Sequence, residues 1–419
     1  MAQRGILALG LIGATLLCSI RYHNVSFDMG LHYAVISYIQ EHFRFPSCGS
    51  VADAYLEIMC GYPPLTHTLA ATVGYLVGSP FLGMIFVTAA SVFVLYAAIL
   101  SMMRFKKDLA SVYAAIAICI VCLVLIRYTS MIGAEVRRNY FFSQLVGSAL
   151  LFGFVATQRR LHPLPSLIFM VVLGWVYPIA AVQLGCATII SMMLLREAPA
   201  KIGVYALLAS AAIFLHPLFR SSSGIANNNG DIGTGYIPEV WTMPIVWALA
   251  ASSGGLFWYF MHEKLPLRNP IQFISISAAI ACAALVQWAV FVVLGKGSDY
   301  IVYKHLFGAF TMLVANIIVW SIVIAYPSIQ ELEMRRWATA CGIAIAAVFC
   351  SMTIIPPIGG LSTRAFARTE RDARLSRQIL NSANHHEQFA LEIAIGKMPI
   401  SETADRHIQA MRAPPLVRR

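Results

Sequence analysis

Runs of about twenty apolar residues recur along this chain, separated by short polar segments that often carry arginine or lysine. Twenty residues of helix cross a bilayer, and only a helix or a closed barrel satisfies its backbone hydrogen bonds in lipid. The runs do not alternate polar with apolar residues, so helices are expected. Composition agrees: of 419 residues, 59% are hydrophobic and 12% charged. A soluble domain does not hide that much apolar surface. The expected fold class is an all-α polytopic membrane protein. The net charge of +11 is then expected in cytoplasmic loops and is no sign of nucleic acid.

Hydropathy and the positions of Lys and Arg place about eleven spans, near 4–21, 81–103, 108–127, 139–157, 165–179, 180–196, 201–217, 240–261, 270–294, 305–326 and 337–356. The stretch Leu164 to Arg196 is too long for one span, and Tyr177-Pro178 divides it into two short helices. With the N-terminus inside, the cytoplasmic loops are Arg104–Lys107, Gln158–His162, Arg196–Lys201, His262–Arg268 and Glu331–Arg336, each with at least two basic residues. The first apolar run also has the features of a signal peptide, but the polar region after it makes better sense tethered to a membrane helix. Leu65 to Gly78 is too short for a comfortable span and reads as a re-entrant or interfacial helix. It lies in a long first external loop, about residues 22–80. Residues 1–357 form the transmembrane domain, and 358–419 a polar, partly helical tail that falls outside by parity.

The chain has nine cysteines. Seven fall in expected spans; Cys119 and Cys122 form CxxC inside one of them and read as small apolar fillers. Cys48 and Cys60 are the pair expected outside, where a disulfide suits an oxidising compartment such as a periplasm.

From Asp28 the first loop reads DMGLHYAVISYIQEHFRFP. Leu31, Val35, Ile36 and Ile39 fit one helical face, which predicts an amphipathic helix near the membrane surface. Asp28 at its start is either a helix cap or a placed carboxylate, with His32 one turn on. The loop continues to GYPPLTH, where Pro63 and Pro64 fix an extended entry into the next helix.

These two motifs together resemble the first external loop of the GT-C superfamily of polyprenyl-phosphate-dependent glycosyltransferases, which includes mannosyl, arabinosyl and aminoarabinose transferases. The motifs span about fifty residues, and the run of spans with outward-facing loops agrees over most of the chain. The resemblance implies a GT-C-like fold, a lipid-linked sugar donor, action on the non-cytoplasmic face and Asp28 as catalytic base. Inverting sugar transfer needs a base for the acceptor hydroxyl. A carboxylate serves if a nearby arginine or metal ion keeps it ionised. No metal site follows from the residues, and a divalent metal ion is left open as a cofactor.

The leaving group is a phosphate on a lipid, which calls for cations at the outer boundary. Arg137 and Arg138 in the second external loop are candidates, with Glu135 as a second acidic site residue. The plainer reading is an interfacial cluster with snorkelling arginines. Tyr303 and Lys304 open the tenth span and look like a late external-loop feature of the superfamily; a snorkelling lysine beside a belt aromatic is the alternative. His32, Tyr62 and His67 complete the candidate substrate contacts, and His216 and Arg220 end the seventh span on the same side. The loop Ser221 to Glu239 suits a flap over an acceptor groove and lacks the ligand pattern of a calcium loop. Without P-loop, GxGxxG or HExxH, a nucleotide-sugar donor has no support.

The expected protein is an inverting glycosyltransferase of a bacterial inner membrane, its site facing the periplasm. It would act on a polyprenyl-phosphate sugar and a glycan, lipid or protein acceptor, among membrane lipids and without nucleic acid. Two alternatives stand beside it: a lipid or sugar transporter or flippase, and a non-catalytic GT-C-like scaffold. Transporters usually carry ionisable residues near the membrane midplane, whereas here the polar residues gather on one face.

Overall fold

The computed structural model describes residues 27–49, 56, 59–103, 131–133, 142–217, 239–294 and 299–325. The spans expected near 4–21, 108–127 and 337–356, and the tail from 358, lie outside these residues.

The described residues form ten helices: α1 (Phe27–His42), α2 (Pro64–Val77), α3 (Pro80–Met102), α4 (Phe142–Thr157), α5 (Pro163–Val176), α6 (Pro178–Leu194), α7 (Pro199–Phe214), α8 (Glu239–His262), α9 (Pro270–Leu294) and α10 (Asp299–Ala325). They contain no strand, only an isolated bridge between Met103 and Leu267. Four helical stretches are long and apolar enough to cross a membrane: Pro80–Met102, Met243–His262, Pro270–Val290 and Ile301–Ser321. The apolar helices α4 to α7 are shorter. The protein is therefore a helical membrane protein.

Proline sets the helix starts. It occupies the first turn of α2, α5, α6 and α7, where its missing N–H costs no hydrogen bond. Tyr177 between α5 and α6 is extended, with φ −162° and ψ 102°. Its N–H still donates to the Leu173 carbonyl at 2.6 Å. Pro178 then opens α6, so the long apolar stretch breaks at Tyr177-Pro178.

Exposure along α2 inverts the pattern of a soluble helix. Thr66, His67, Ala70, Ala71 and Gly74 are buried, while Leu65, Leu69, Tyr75, Leu76 and Val77 are exposed. Likewise α7 buries Tyr205 and Ala209 and exposes Val204, Leu207, Leu208 and Phe214. Small or polar inside and large apolar outside suits a helix solvated by lipid; in water such faces would be a large exposed patch.

The chain divides into two compact units, 1–90 with 135–143 and 354–419, and 91–134 with 144–353. In the first, α1 packs on α2. The expected surface helix is not what α1 is: every residue from Leu31 to Ile39 is buried. The apolar stripe at Leu31, Val35, Ile36 and Ile39 is real, but His32, Tyr33, Ser37 and Tyr38 on the other faces are enclosed as well. These polar side chains are enclosed by protein all the same, so polarity misjudged which faces of α1 are covered. The helix runs from Phe27, which puts position 28 in its first turn rather than at a cap.

In the second unit α6 packs on α9 and α5, and α8, α9 and α10 pack on one another. Ser253, Ser277 and Asn316 from these last three helices are buried together. Ser253 donates its hydroxyl to the Leu249 carbonyl at 2.7 Å. Ser277, 2.8 Å away, is then the donor to Ser253. The Asn316 amide donates to Ser253 at 3.2 Å and to Ser277 at 3.0 Å.

Basic loops expected on one side are tied together in this unit. Arg160 pairs with Glu197, which also holds Lys201 at 3.4 Å. Asn269 donates to the Gln158 carbonyl at 3.1 Å, Gln272 to the Arg159 carbonyl, and the Arg268 N–H to the Met102 carbonyl at 2.7 Å. The segment expected as the second external loop behaves differently. Met131, Ile132 and Gly133 are buried, and Gly133 has φ 106°. The Ile132 N–H donates to Thr311 Oγ1 at 2.9 Å and its carbonyl accepts from Tyr96 at 2.6 Å. Tyr96 and Thr311 lie well inside α3 and α10, so this turn sits within helical packing rather than in a solvent loop. Side-chain hydroxyls supply the hydrogen bonds its backbone would otherwise lack.

Candidate functional site

The first unit brings the two motifs of the opening loop together. A disulfide joins Cys48 and Cys60, with Cα atoms 5.1 Å apart, a normal separation for this bond. It closes the connection between α1 and α2. Gln40 of α1 donates to the Ala71 carbonyl of α2 at 2.8 Å. The crossing of α2 with α3 is close: a Cβ on Gly83 would run into the Ala70 carbonyl and the backbone of Gly74.

Within this frame His32 meets His67. His32 is 3% exposed and His67 fully enclosed. Their rings stack with centroids 5.0 Å apart and planes 25° apart, and His32 Nδ1 lies 2.7 Å from His67 Nε2. His67 Nδ1 lies 3.1 Å from the Pro63 carbonyl. Tyr62 meets both rings edge-on, as does Phe142, and Phe45 stands against His67.

These contacts fix where the protons sit. A carbonyl only accepts, so His67 Nδ1 carries the hydrogen donated to Pro63. Burial lowers the His67 pKa from 6.5 to about 4, against a smaller opposite effect of the Pro63 hydrogen bond. His67 is therefore neutral at physiological pH, and its Nε2 is an acceptor. The donor to it is His32 Nδ1–H. Both nitrogens of His67 are thus engaged inside the protein, which leaves this ring no lone pair for a metal ion or a direct phosphate contact.

Asp28 belongs to α1, and helical register puts position 28 on the face of position 32. Its side chain lies outside the described residues, as do Glu135, Arg137, Arg138 and Arg220. Among the described residues no group of three or more metal-binding side chains occurs.

Tyr303 and Lys304 belong to the second unit, one turn into α10. Tyr303 is buried with its ring edge-on to Phe307 at 5.3 Å. Lys304 Nζ lies 5.8 Å from the centroid of the Tyr177 ring, within range of a cation–π attraction. Gln144 donates to the Lys304 carbonyl at 3.1 Å and accepts from the Tyr177 hydroxyl at 3.2 Å. Next along α10, buried His305 pairs with Gln183 at 3.2 Å. Sequence reading treated Tyr177 as a helix break and passed over Gln144, Gln183 and His305. A polar residue inside an apolar span was the available sign. His216 is buried against Trp175, ring centroids 4.8 Å apart, in the same unit.

Comparison with protein-family models, curated proteins and solved structures finds no match to this chain. What the fold itself defines is a class, a polytopic helical membrane protein.

Proposed function

We propose that this protein is a GT-C-like integral membrane glycosyltransferase with about eleven spans. It moves a sugar from a polyprenyl phosphate to an acceptor on the non-cytoplasmic face, with inversion. One observation carries the reading. The motifs DMGLHY and YPPLTH, on which the resemblance rests, form one stapled structure in which His32 and His67 touch. Asp28 is the base that takes the acceptor's proton, and Arg137 and Arg138 neutralise the phosphate. The sequences of α3, α4, α5, α6 and α9 carry no charged residue, which fits chemistry at a membrane boundary better than an ionisable path across it.

A transporter or flippase is the second reading. The buried turn Met131–Gly133 favours it, because non-helical backbone enclosed in a membrane protein is found where it lines a cavity or path. Purified protein supplied with a labelled polyprenyl-phosphate sugar separates the two. Transfer to an acceptor, or hydrolysis of the donor, supports the enzyme. Translocation across a vesicle without bond cleavage supports the transporter. Binding with neither leaves a scaffold and removes both.

A further inference from the structure

We propose that the outer face of α2, with Phe43 beside it, is the surface by which the stapled unit seats in the bilayer, and that its partner is lipid acyl chain at the membrane boundary. Leu65, Thr68, Leu69, Thr72 and Leu76 are all exposed. Their spacing of three or four places them on one face of the helix. The two threonines show what this face is suited to. Thr68 donates its hydroxyl to the Pro64 carbonyl at 3.0 Å, and Thr72 donates to the Thr68 carbonyl at 2.9 Å. Each exposed hydroxyl hydrogen is committed to the helix's own backbone, the arrangement that lets a hydroxyl face hydrocarbon. Charge is absent too: from Ile58 to Met103 the sequence holds no Asp, Glu, Lys or Arg.

Phe43 supplies an independent observation. It follows the last residue of α1, with its N–H on the Ile39 carbonyl at 2.8 Å and φ 54°. A helix end in this left-handed conformation favours glycine, and a bulky side chain is strained there. The Phe43 ring is nonetheless 79% exposed, and it stands edge-on to Tyr75, itself 68% exposed, with centroids 6.2 Å apart. In water neither the strain nor the exposure gains anything. At a bilayer boundary an aromatic pair is an anchor. Exposed Glu41 and Arg44 beside Phe43 suit the headgroup layer.

Continuity with α3 sets the depth. α3 is long and apolar enough to cross a membrane, and Gly83 in its first turn lies against Ala70 and Gly74 of α2. The turn between the helices bonds its backbone within the chain. Gly78 has φ 76°, the Ser79 N–H donates to the Gly74 carbonyl at 2.9 Å, and the Gly83 N–H donates to the Ser79 carbonyl at 3.0 Å. Such a turn can rest against lipid. With 14 residues, α2 reaches about 21 Å, short of a hydrocarbon core of about 30 Å. It is therefore held at the end of α3, along the boundary. The surface helix expected at α1 is α2, and α1 with His32 packs on its covered side. None of this depends on sugar transfer.

The test uses the full-length wild-type protein in nanodiscs of palmitoyl-oleoyl phosphatidylcholine that contain a phosphatidylcholine with a diazirine in its acyl chain. After illumination, mass spectrometry should find lipid adducts on the exposed residues of α2 and on Phe43. Their yield should match that at Val204 and Leu207, the exposed apolar residues of α7, and exceed that around exposed Lys264 several-fold. In a second arm p-benzoylphenylalanine replaces Leu69 or Leu76, and its adducts are identified. Phospholipid adducts support the proposal. Adducts to the segment before Phe27 would mean that the chain covers its own face, and adducts to a second copy would mean a dimer interface; either overturns it. Labelling of α2 and Phe43 no stronger than around Lys264 overturns it as well. The wild-type labelling decides this even if a photoreactive variant does not fold.

Discussion

Two buried polar clusters in this molecule are built from similar parts and behave differently. In the second unit, Ser253, Ser277 and Asn316 hydrogen-bond to one another and to the Leu249 carbonyl within the three-helix contact. None of these groups titrates near neutral pH, so the cluster can hold helices together and little more. In the first unit, the bonds run in one direction, from His32 through His67 to a proline carbonyl. Imidazoles titrate, and a directed chain sets which nitrogen does so. The same burial that makes the serine cluster a fastener keeps His67 neutral and fixes which of its nitrogens carries the proton.

The two units should therefore fail separately and for different reasons. The largest effect is expected at the α2–α3 crossing. Gly83→Leu places a side chain against backbone that cannot move aside, and should cost about 3–5 kcal/mol, at the upper end for single substitutions. Hydrogen exchange should report it as opening of residues 64–77 with the contact of α8, α9 and α10 unchanged.

Opening the disulfide comes next. Cys48→Ser releases a loop closed across a sequence separation of 12, worth about 3 kcal/mol in the chain-entropy account. Non-reducing mass spectrometry should find Cys48 and Cys60 joined in the wild type; free thiols in an oxidising preparation would undo the staple.

Acid should act on the first unit. The folded pKa of His67 lies below its ordinary value, 6.5 lowered to about 4. The unfolded state therefore binds the extra proton first. Stability from burying His67 is complete above 6.5 and is lost as pH falls toward 4, on the order of 3 kcal/mol in all. Exchange protection of α1 and α2 should decline over that window, and His67→Gln should flatten the decline. Equal acid sensitivity in the two variants would show that His67 is not the titrating group.

The smallest effect is expected in the serine cluster. Asn316→Leu removes two donors and leaves two hydroxyls that can turn to other acceptors, so the cost should be about 1 kcal/mol. It should loosen α8, α9 and α10 and leave the ring-nitrogen spectra of His32 and His67 as they were. A change in those spectra would mean that the two clusters are coupled.

The helices themselves were legible in the sequence. Apolar runs bounded by Pro and by basic loops place α3 and α5 to α9 within a few residues of their ends, α10 starts six residues before the expected span, and the Tyr177-Pro178 break falls where expected. Lipid makes this easy, since hydropathy and proline act locally. The approach of His32 to His67 was not legible, because it joins residues 35 apart on different helices. Nor was the burial of α1, where enclosed polar groups imitate a solvent face. The turn at Met131–Gly133 was read as an outside loop because Tyr96 and Thr311, which satisfy it, are distant in sequence. For the candidate site, sequence named Asp28, His32, Tyr62 and His67 individually. The tautomers that give the two histidines different roles depend on the fold.

The most direct measurement is release of polyprenyl phosphate from a labelled lipid-linked sugar by the purified full-length protein, wild type against Asp28→Asn. The variant keeps size and shape at position 28 and removes the base. The account predicts release by the wild type and a loss of about a thousandfold in the variant, with the disulfide and elution behaviour unchanged. Release by Asp28→Asn at the wild-type rate would contradict it.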